Sequence, residues 1–161
     1  MEGRKHKRKY IWLMAAVLWM VLIFHFSNQK ASESSEISGS LTYRMAEGVS
    51  RMFHFDWNEE TLLKYADAVE HPVRKAAHMT EYAVLAWILF GNCMQYPLLQ
   101  KKSYLWAGIG AVFYAATDEF HQLFIEGRSG EIKDVLIDGT GAALGLLFLW
   151  IVVSIKNKRK R

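Results

Sequence analysis

"TDEFHQLFIEGRSGEIKDVLIDGTGAALG" occupies Thr117–Gly145. It begins where one strongly apolar run ends and finishes inside the next, yet acidic residues, a His and an Arg crowd into it. The fold turns on whether those runs are core helices of a soluble protein or membrane spans. On the near side lies Tyr104–Phe120, and on the far side Val135–Ile155. Ala76–Met94 is weaker in hydropathy because of His78 and Glu81, but its continuation Tyr82–Phe90 favours a spanning helix over a soluble one. Tyr10–Phe26 is interrupted only by His25. As a helix it is about 26 Å long, just enough for a hydrocarbon core of about 30 Å. A basic start before an apolar run also describes a signal peptide, and Lys30-Ala31-Ser32 keeps that alternative open.

The 161 residues suffice for one domain. A mean hydropathy near zero hides a segregation, with polar residues at both ends and in Ser27–Lys75. We divide the chain into a basic tail (1–9), a membrane domain (10–155) and a second basic tail (156–161). The net charge of +4 comes from the tails: Arg4, Lys5, Lys7, Arg8 and Lys9, then Lys156, Lys158, Arg159, Lys160 and Arg161. Both runs abut apolar spans, so they read as topology signals and contacts with anionic lipid, and no nucleic-acid partner is expected. The single Cys93 excludes an intramolecular disulfide and has no CxxC partner. It reads as a small buried apolar residue.

Lys101-Lys102 in the second connection and both basic tails place those segments in the cytoplasm. The first and third connections then face outward. In the first, Ile37, Leu41, Met45, Val49 and Met52-Phe53 recur near helical spacing. Asp56 and Glu59 resemble a capping box before Leu62, Leu63, Ala66 and Val69. The expectation is an all-α fold: a four-span transmembrane helical bundle in the cell membrane, with short amphipathic helices in the extracellular first connection. A loosely ordered loop is the alternative there.

Counted outward from the cytoplasmic lysines, Glu81, Asp118 and Asp138 each reach the outer boundary of the bilayer. His78, Glu81, Tyr82 and Leu85 share one helical face; Asp118, His121 and Gln122 share another, with Glu119 beside them; Asp134, Asp138, Gly141 and Gly145 form a third. Gly141–Gly145 is a GxxxG segment, suited to close helix approach or merely a tolerated patch of small residues. Charges at a membrane boundary call for partners. Arg128, Arg74 or Lys75 are expected to pair with Glu81, Asp118, Glu119 or Asp134. Such a network either locks the helices together or lines an outward cleft.

The motifs "IFHFSNQ" (Ile23–Gln29), "KAAHMTEYAVLAW" (Lys75–Trp87), "DEFHQLFIEGRSGEIKDV" (Asp118–Val135) and "GTGAALG" (Gly139–Gly145) occur in this order from the first span to the last. In them the chain resembles the VanZ-like family, teicoplanin-resistance-type integral membrane proteins of Gram-positive bacteria. The family pattern maps onto Ser27, Gln29, His78, Glu81, Tyr82, Asp118, Glu119, His121, Gln122, Arg128 and Asp134. Asp138 departs from it, since relatives often carry Asn there. The resemblance implies the bacterial envelope more firmly than any activity.

Three functions compete. A binding or protective protein would act on a lipoglycopeptide or a lipid-linked cell-wall precursor at the membrane, with lipid as a constant partner. An enzyme would use His78, Glu81, Asp118 and His121 as metal ligands or acid–base groups, with Glu119 nearby. However, His-x-x-Glu is not the HExxH signature, and no nucleophile elbow, phosphate loop or other cofactor motif is visible. A scaffold would dock cell-wall enzymes on the amphipathic connection. Transport fits less well, because polar groups are sparse in the inner half of the spans.

Overall fold

The computed structural model describes residues 2–159, with side chains from Lys7 onward. The side chains of Arg4 and Lys5, together with Lys160 and Arg161, lie outside the described residues. Among the described residues six helices follow in order: α1 (Glu2–Ser27), α2 (Ala31–Met52), α3 (Glu59–Cys93), α4 (Pro97–Gln100), α5 (Ser103–Gln122) and α6 (Ile132–Lys158). No strand occurs among the described residues, so the all-α expectation holds. Each apolar run lies within one helix. Cys93, at the end of α3, is only half buried.

The first connection differs from its expected form. α2 is a full 22-residue helix. What was expected as a separate second surface helix is the first half of α3, which runs 35 residues straight through Pro72, about 52 Å in all. A Pro in a helix interior costs about 3 kcal/mol or more, and here packing on both sides of it outweighs that cost. Before Pro72, Ser38 of α2 donates to Glu70 Oε1 at 2.6 Å. Beyond it, the backbone of Met79 and Ala83 supports α6. The cap of α3 also differs. Asn58, not Asp56, accepts from Thr61 N at 2.9 Å, and Thr61 takes the place expected for Glu59. The preceding turn is closed by His54 at φ 56° and by the Ser50 hydroxyl donating to Phe55 O at 2.7 Å.

α2 turns a face of small residues to the protein. Its buried stripe is Ser38, Thr42, Ala46 and Ser50, small residues at i+4 spacing that let it lie close to α3. The large apolar residues Ile37, Leu41, Met45 and Val49 remain exposed.

α3 packs most extensively on α6, and the glycine stripe is the reason. A β-carbon on Gly141 would fall on the Met79 backbone, and one on Gly145 would stand 2.8 Å from Ala83 Cβ. Trp87 Nε1 donates to Gly145 O at 2.5 Å across the same seam. α1 is fastened by Trp19 Nε1 to Glu81 O at 2.9 Å. Tyr114 of α5 donates to Met20 O at 2.6 Å. Where lipid replaces water, such bonds and close small-residue packing take over from hydrophobic association.

The distribution of polarity is inverted relative to a soluble domain. The core consists largely of Ala107, Ala111, Ala115 and Ala142 with Ile23, Tyr82 and Leu85. Met14, Leu18, Phe113, Leu136 and Phe148 are exposed, while Asp118, Glu119 and Asp138 are at most 5% exposed. Water would penalise both features; a bilayer accounts for the first. Among the described residues two helices are long and apolar enough to cross a membrane, Lys7–Ser27 with mean hydropathy 1.9 and Ile132–Lys158 with 2.0. α3 and α5 fall below that level because carboxylates, a His and many small residues share their apolar stretches. By length and composition, therefore, two of the four expected spans qualify as candidates among the described residues.

Candidate functional site

The end of α1, the middle of α3, the end of α5 and the start of α6 meet at one end of the bundle. The segment between α5 and α6 ties them together. Gly127 adopts φ +76°, and a β-carbon there would stand 3.1 Å from Ala31 Cβ, so the turn lies directly on the start of α2. Glu126 holds the same place twice: its carbonyl accepts from Ala31 N at 3.3 Å, and its carboxylate pairs with Lys30 Nζ at 2.6 Å.

Arg128 caps α1. Its Nε donates to Gln29 O at 2.9 Å and its terminal nitrogen to Phe26 O at 3.5 Å, placing a cation where the helix dipole favours one. The expected pairing of Arg128 with a carboxylate does not form. Glu119 acts at the opposite kind of terminus: its Oε2 accepts from Glu131 N at 3.0 Å, just ahead of α6. Arg74 pairs with Glu70 on its own helix and donates to Ser35 Oγ at 2.9 Å. The Ser38 hydroxyl, then Arg74, hold the Glu70 carboxyl below its ordinary range. Of the cross-helix pairs expected, Lys75 with Asp134 forms, at 2.5 Å.

Between these ties lies a cleft of about 420 Å³. His78, Glu119, Gln122, Arg128, Asp134 and Asp138 line it, as expected of a polar site. His71, Ser129, Glu131 and Lys133 also line it and were missed. A signal for His71 was present, since His71, Arg74, Lys75 and His78 stand at i, i+3, i+4 and i+7 on one helix. A gap of about 200 Å³ adjoins the cleft and shares Arg74, His78 and Arg128 with it; Gln29 and Glu81 line this gap.

Ser27, Tyr82 and Asp118 belong to the interior rather than the cleft. The Ser27 and Tyr82 hydroxyls neighbour the Asp118 carboxylate. Ser27 Oγ, the Tyr82 hydroxyl, Asp118 Oδ1 and Asp138 Oδ2 are buried without a hydrogen-bond partner. Gln122 reaches Asp118 Oδ2 only at 3.4 Å. His121 is the outlier. Its ring packs on Phe24, with centroids 4.6 Å apart, and its Nε2 lies 3.2 Å from Asn28 Oδ1, so it faces α1 rather than joining the Asp118 stripe in the core. Of the metal-ligand candidates His78, Glu81, Asp118 and His121, the first two line the gap, Asp118 is interior and His121 faces α1. Among the described residues no three His, Cys, Asp or Glu side chains form a metal-binding group.

The VanZ/LLP1 family model matches residues 12–153, from α1 into α6. The chain belongs to the VanZ/LLP1 family. No curated protein matches it, and no solved structure does. Several residues of the motifs that carry the VanZ-like pattern have a structural task. Gly127, Arg128 and Glu131 join the loop to α1, α2 and α5, and Asp134 joins α6 to α3. Of the four ionisable side chains that line the gap, Arg74 and Arg128 are hydrogen-bonded, whereas the His78 and Glu81 side chains are not. Both face the gap, and neither takes part in any of the ion pairs formed by the described residues.

The Lys75–Asp134 pair gives a direct check on the VanZ/LLP1 arrangement. Its side chains are 24% and 20% exposed, so solvent screening is incomplete. A double-mutant cycle on Lys75→Ala and Asp134→Ala, read by unfolding in detergent, is expected to give a coupling of about 0.5–3 kcal/mol. Strict additivity would mean that the pair does not join α3 to α6.

Proposed function

We propose that this VanZ/LLP1 protein is a multi-pass cell-membrane protein whose polar cleft opens on the outer face. In this reading α1, the second half of α3, α5 and α6 form four spans, and both termini are cytoplasmic. The exposed apolar side chains on α5 as well as on α1 and α6 support it. So do Lys101-Lys102 at the end of the bundle opposite the cleft. The polar content of α3 and α5 is then a property of the site they build.

The cleft binds an amphiphilic envelope ligand, a lipoglycopeptide of the teicoplanin type or a lipid-linked cell-wall precursor. Binding gives low-level protection. One observation carries this reading: of the four ionisable side chains that line the gap, Arg74 and Arg128 are hydrogen-bonded, while those of His78 and Glu81, a turn apart on α3, are not. A second reading rests on the same pair. Uncommitted His and Glu side chains in one cavity could supply acid and base to an enzyme acting on a lipid-linked substrate.

The test is drug sensitivity of a deletion strain carrying His78→Ala or Glu81→Gln at matched membrane abundance. Loss of protection supports a functional cleft, and full protection by both variants would leave it structural. Turnover of a lipid-linked precursor by the purified protein, abolished by Glu81→Gln, would favour the enzyme over the binder.

A further inference from the structure

A second cavity has no polar task. It is a groove of about 520 Å³ between α2 and the first half of α3. Met45, Val49, Trp57, Tyr65, Val69 and Val73 are among its lining residues, and no charged side chain is. From Tyr65 to Ala76 it follows α3 for about 17 Å. At its far end Trp57 stacks on Tyr65 with centroids 4.4 Å apart and on Phe55 at 5.1 Å. Aromatic groups of this kind favour the boundary between apolar and aqueous phases.

The groove does not end blindly. Val73 lines both it and the polar gap, where Arg74 and Arg128 come together. Arg128 has no carboxylate partner among the described residues, and Arg74 Nε is buried without an acceptor. Burial, then the like charge of Arg74, push the Arg128 guanidinium below its ordinary range. An anion between the two guanidiniums would relieve that repulsion and accept the unused donors. Glu81 lines the same gap and opposes an anion placed deeper, which confines the favourable position to the arginine side.

We infer that groove and gap form one amphiphile site, with an acyl chain along α2 and α3 between Trp57 and Val73 and an anionic head group between Arg74 and Arg128. The inference rests on the reading that the polar cleft receives the polar part of an amphiphile, and it adds the ligand's class: a lipid with a negatively charged head. The exposed ridge of Ile37, Leu41, Met45 and Val49 is then the wall along which the chain enters.

The test uses the full chain in phosphatidylcholine nanodiscs containing a minor fraction of lipid with brominated acyl chains. The difference between the protein and its Trp57→Phe variant isolates the fluorescence of Trp57. Brominated phosphatidylglycerol is expected to quench it several-fold more than brominated phosphatidylcholine at equal fraction. Val73→Phe, which narrows the passage, and Arg74→Gln with Arg128→Gln, which removes the head-group seat, should each abolish that preference. Equal quenching by both lipids would mean bulk contact only and would overturn the inference. Absence of quenching by either would overturn it in favour of a protein partner on the groove. The head-group comparison needs no variant beyond Trp57→Phe, so it stands even if the other substitutions fail to fold. A failed lipid preference leaves the drug test of His78 and Glu81 untouched, and a failed drug test leaves the lipid preference measurable.

Discussion

Gly141→Leu is expected to prevent α6 from docking on α3 and to remove the folded protein from detergent solution. The β-carbon alone would meet the Met79 backbone, which cannot rotate away as a side chain could. Overpacking a core typically costs about 1–3 kcal/mol, occasionally more; a collision with main chain belongs at the upper end. Gly145→Leu should follow closely, since its β-carbon stands 2.9 Å from Ala83 Cα. It would also disturb the carbonyl that accepts from Trp87. Gly110→Leu is the control. Its β-carbon meets only Leu89 Cδ1 at 3.2 Å, the end of a flexible side chain. Monodispersity and melting temperature in one detergent should rank Gly110→Leu well above both others. Equal behaviour of all three would remove the close α3–α6 contact and, with it, the placement of Asp138 and Asp134 beside α3.

His78→Ala and Glu81→Gln are each expected to abolish protection against teicoplanin while leaving the protein in the membrane. Neither side chain takes part in an ion pair of the described residues, so neither change breaks a tie between helices. The apolar spans and basic flanks that direct insertion are also intact. Arg128→Ala is a less specific probe, because Arg128 also caps α1 and its loss would loosen the loop. Teicoplanin carries an acyl chain and vancomycin lacks one. If the site receives an amphiphile, protection should be larger for teicoplanin, and that difference should vanish in the His78 and Glu81 variants. Equal protection against both drugs would show that the site does not respond to the chain.

The helical bundle was legible because its signals are local. Each apolar run, each flanking basic cluster and the Gly141–Gly145 spacing can be read within one segment, and the helices fall where those runs lie. The site was legible only in part, because which charges meet depends on how segments cross. Lys75 with Asp134 was among the expected pairs. Arg128 was also named, but as a partner for carboxylates, whereas it serves backbone carbonyls at the end of α1. Helical spacing put His121 with Asp118 and Gln122. The structure separates them because the ring finds Phe24 and Asn28 beside it, and sequence spacing does not encode a neighbour on another helix. The continuous α3 was hidden for a related reason. A helix interior that carries Pro72 is unfavourable on local grounds, and packing before and after it makes the unbroken helix favourable. The apolar periodicity of α2 was legible, but the face it packs on α3 was not: the small stripe from Ser38 to Ser50 permits the close approach, and small polar residues give no hydrophobic signal.

The central claim is that the polar cleft opens on the outer face of the membrane. Single cysteines at Ser129, which lines the cleft, and at Lys101, in the turn beyond α4, placed in a Cys93→Ala background, test it most directly. In intact cells a membrane-impermeant thiol reagent is expected to label position 129 and not position 101, with both labelled after permeabilisation. Labelling of position 101 but not 129 in intact cells would turn the cleft toward the cytoplasm and contradict the account.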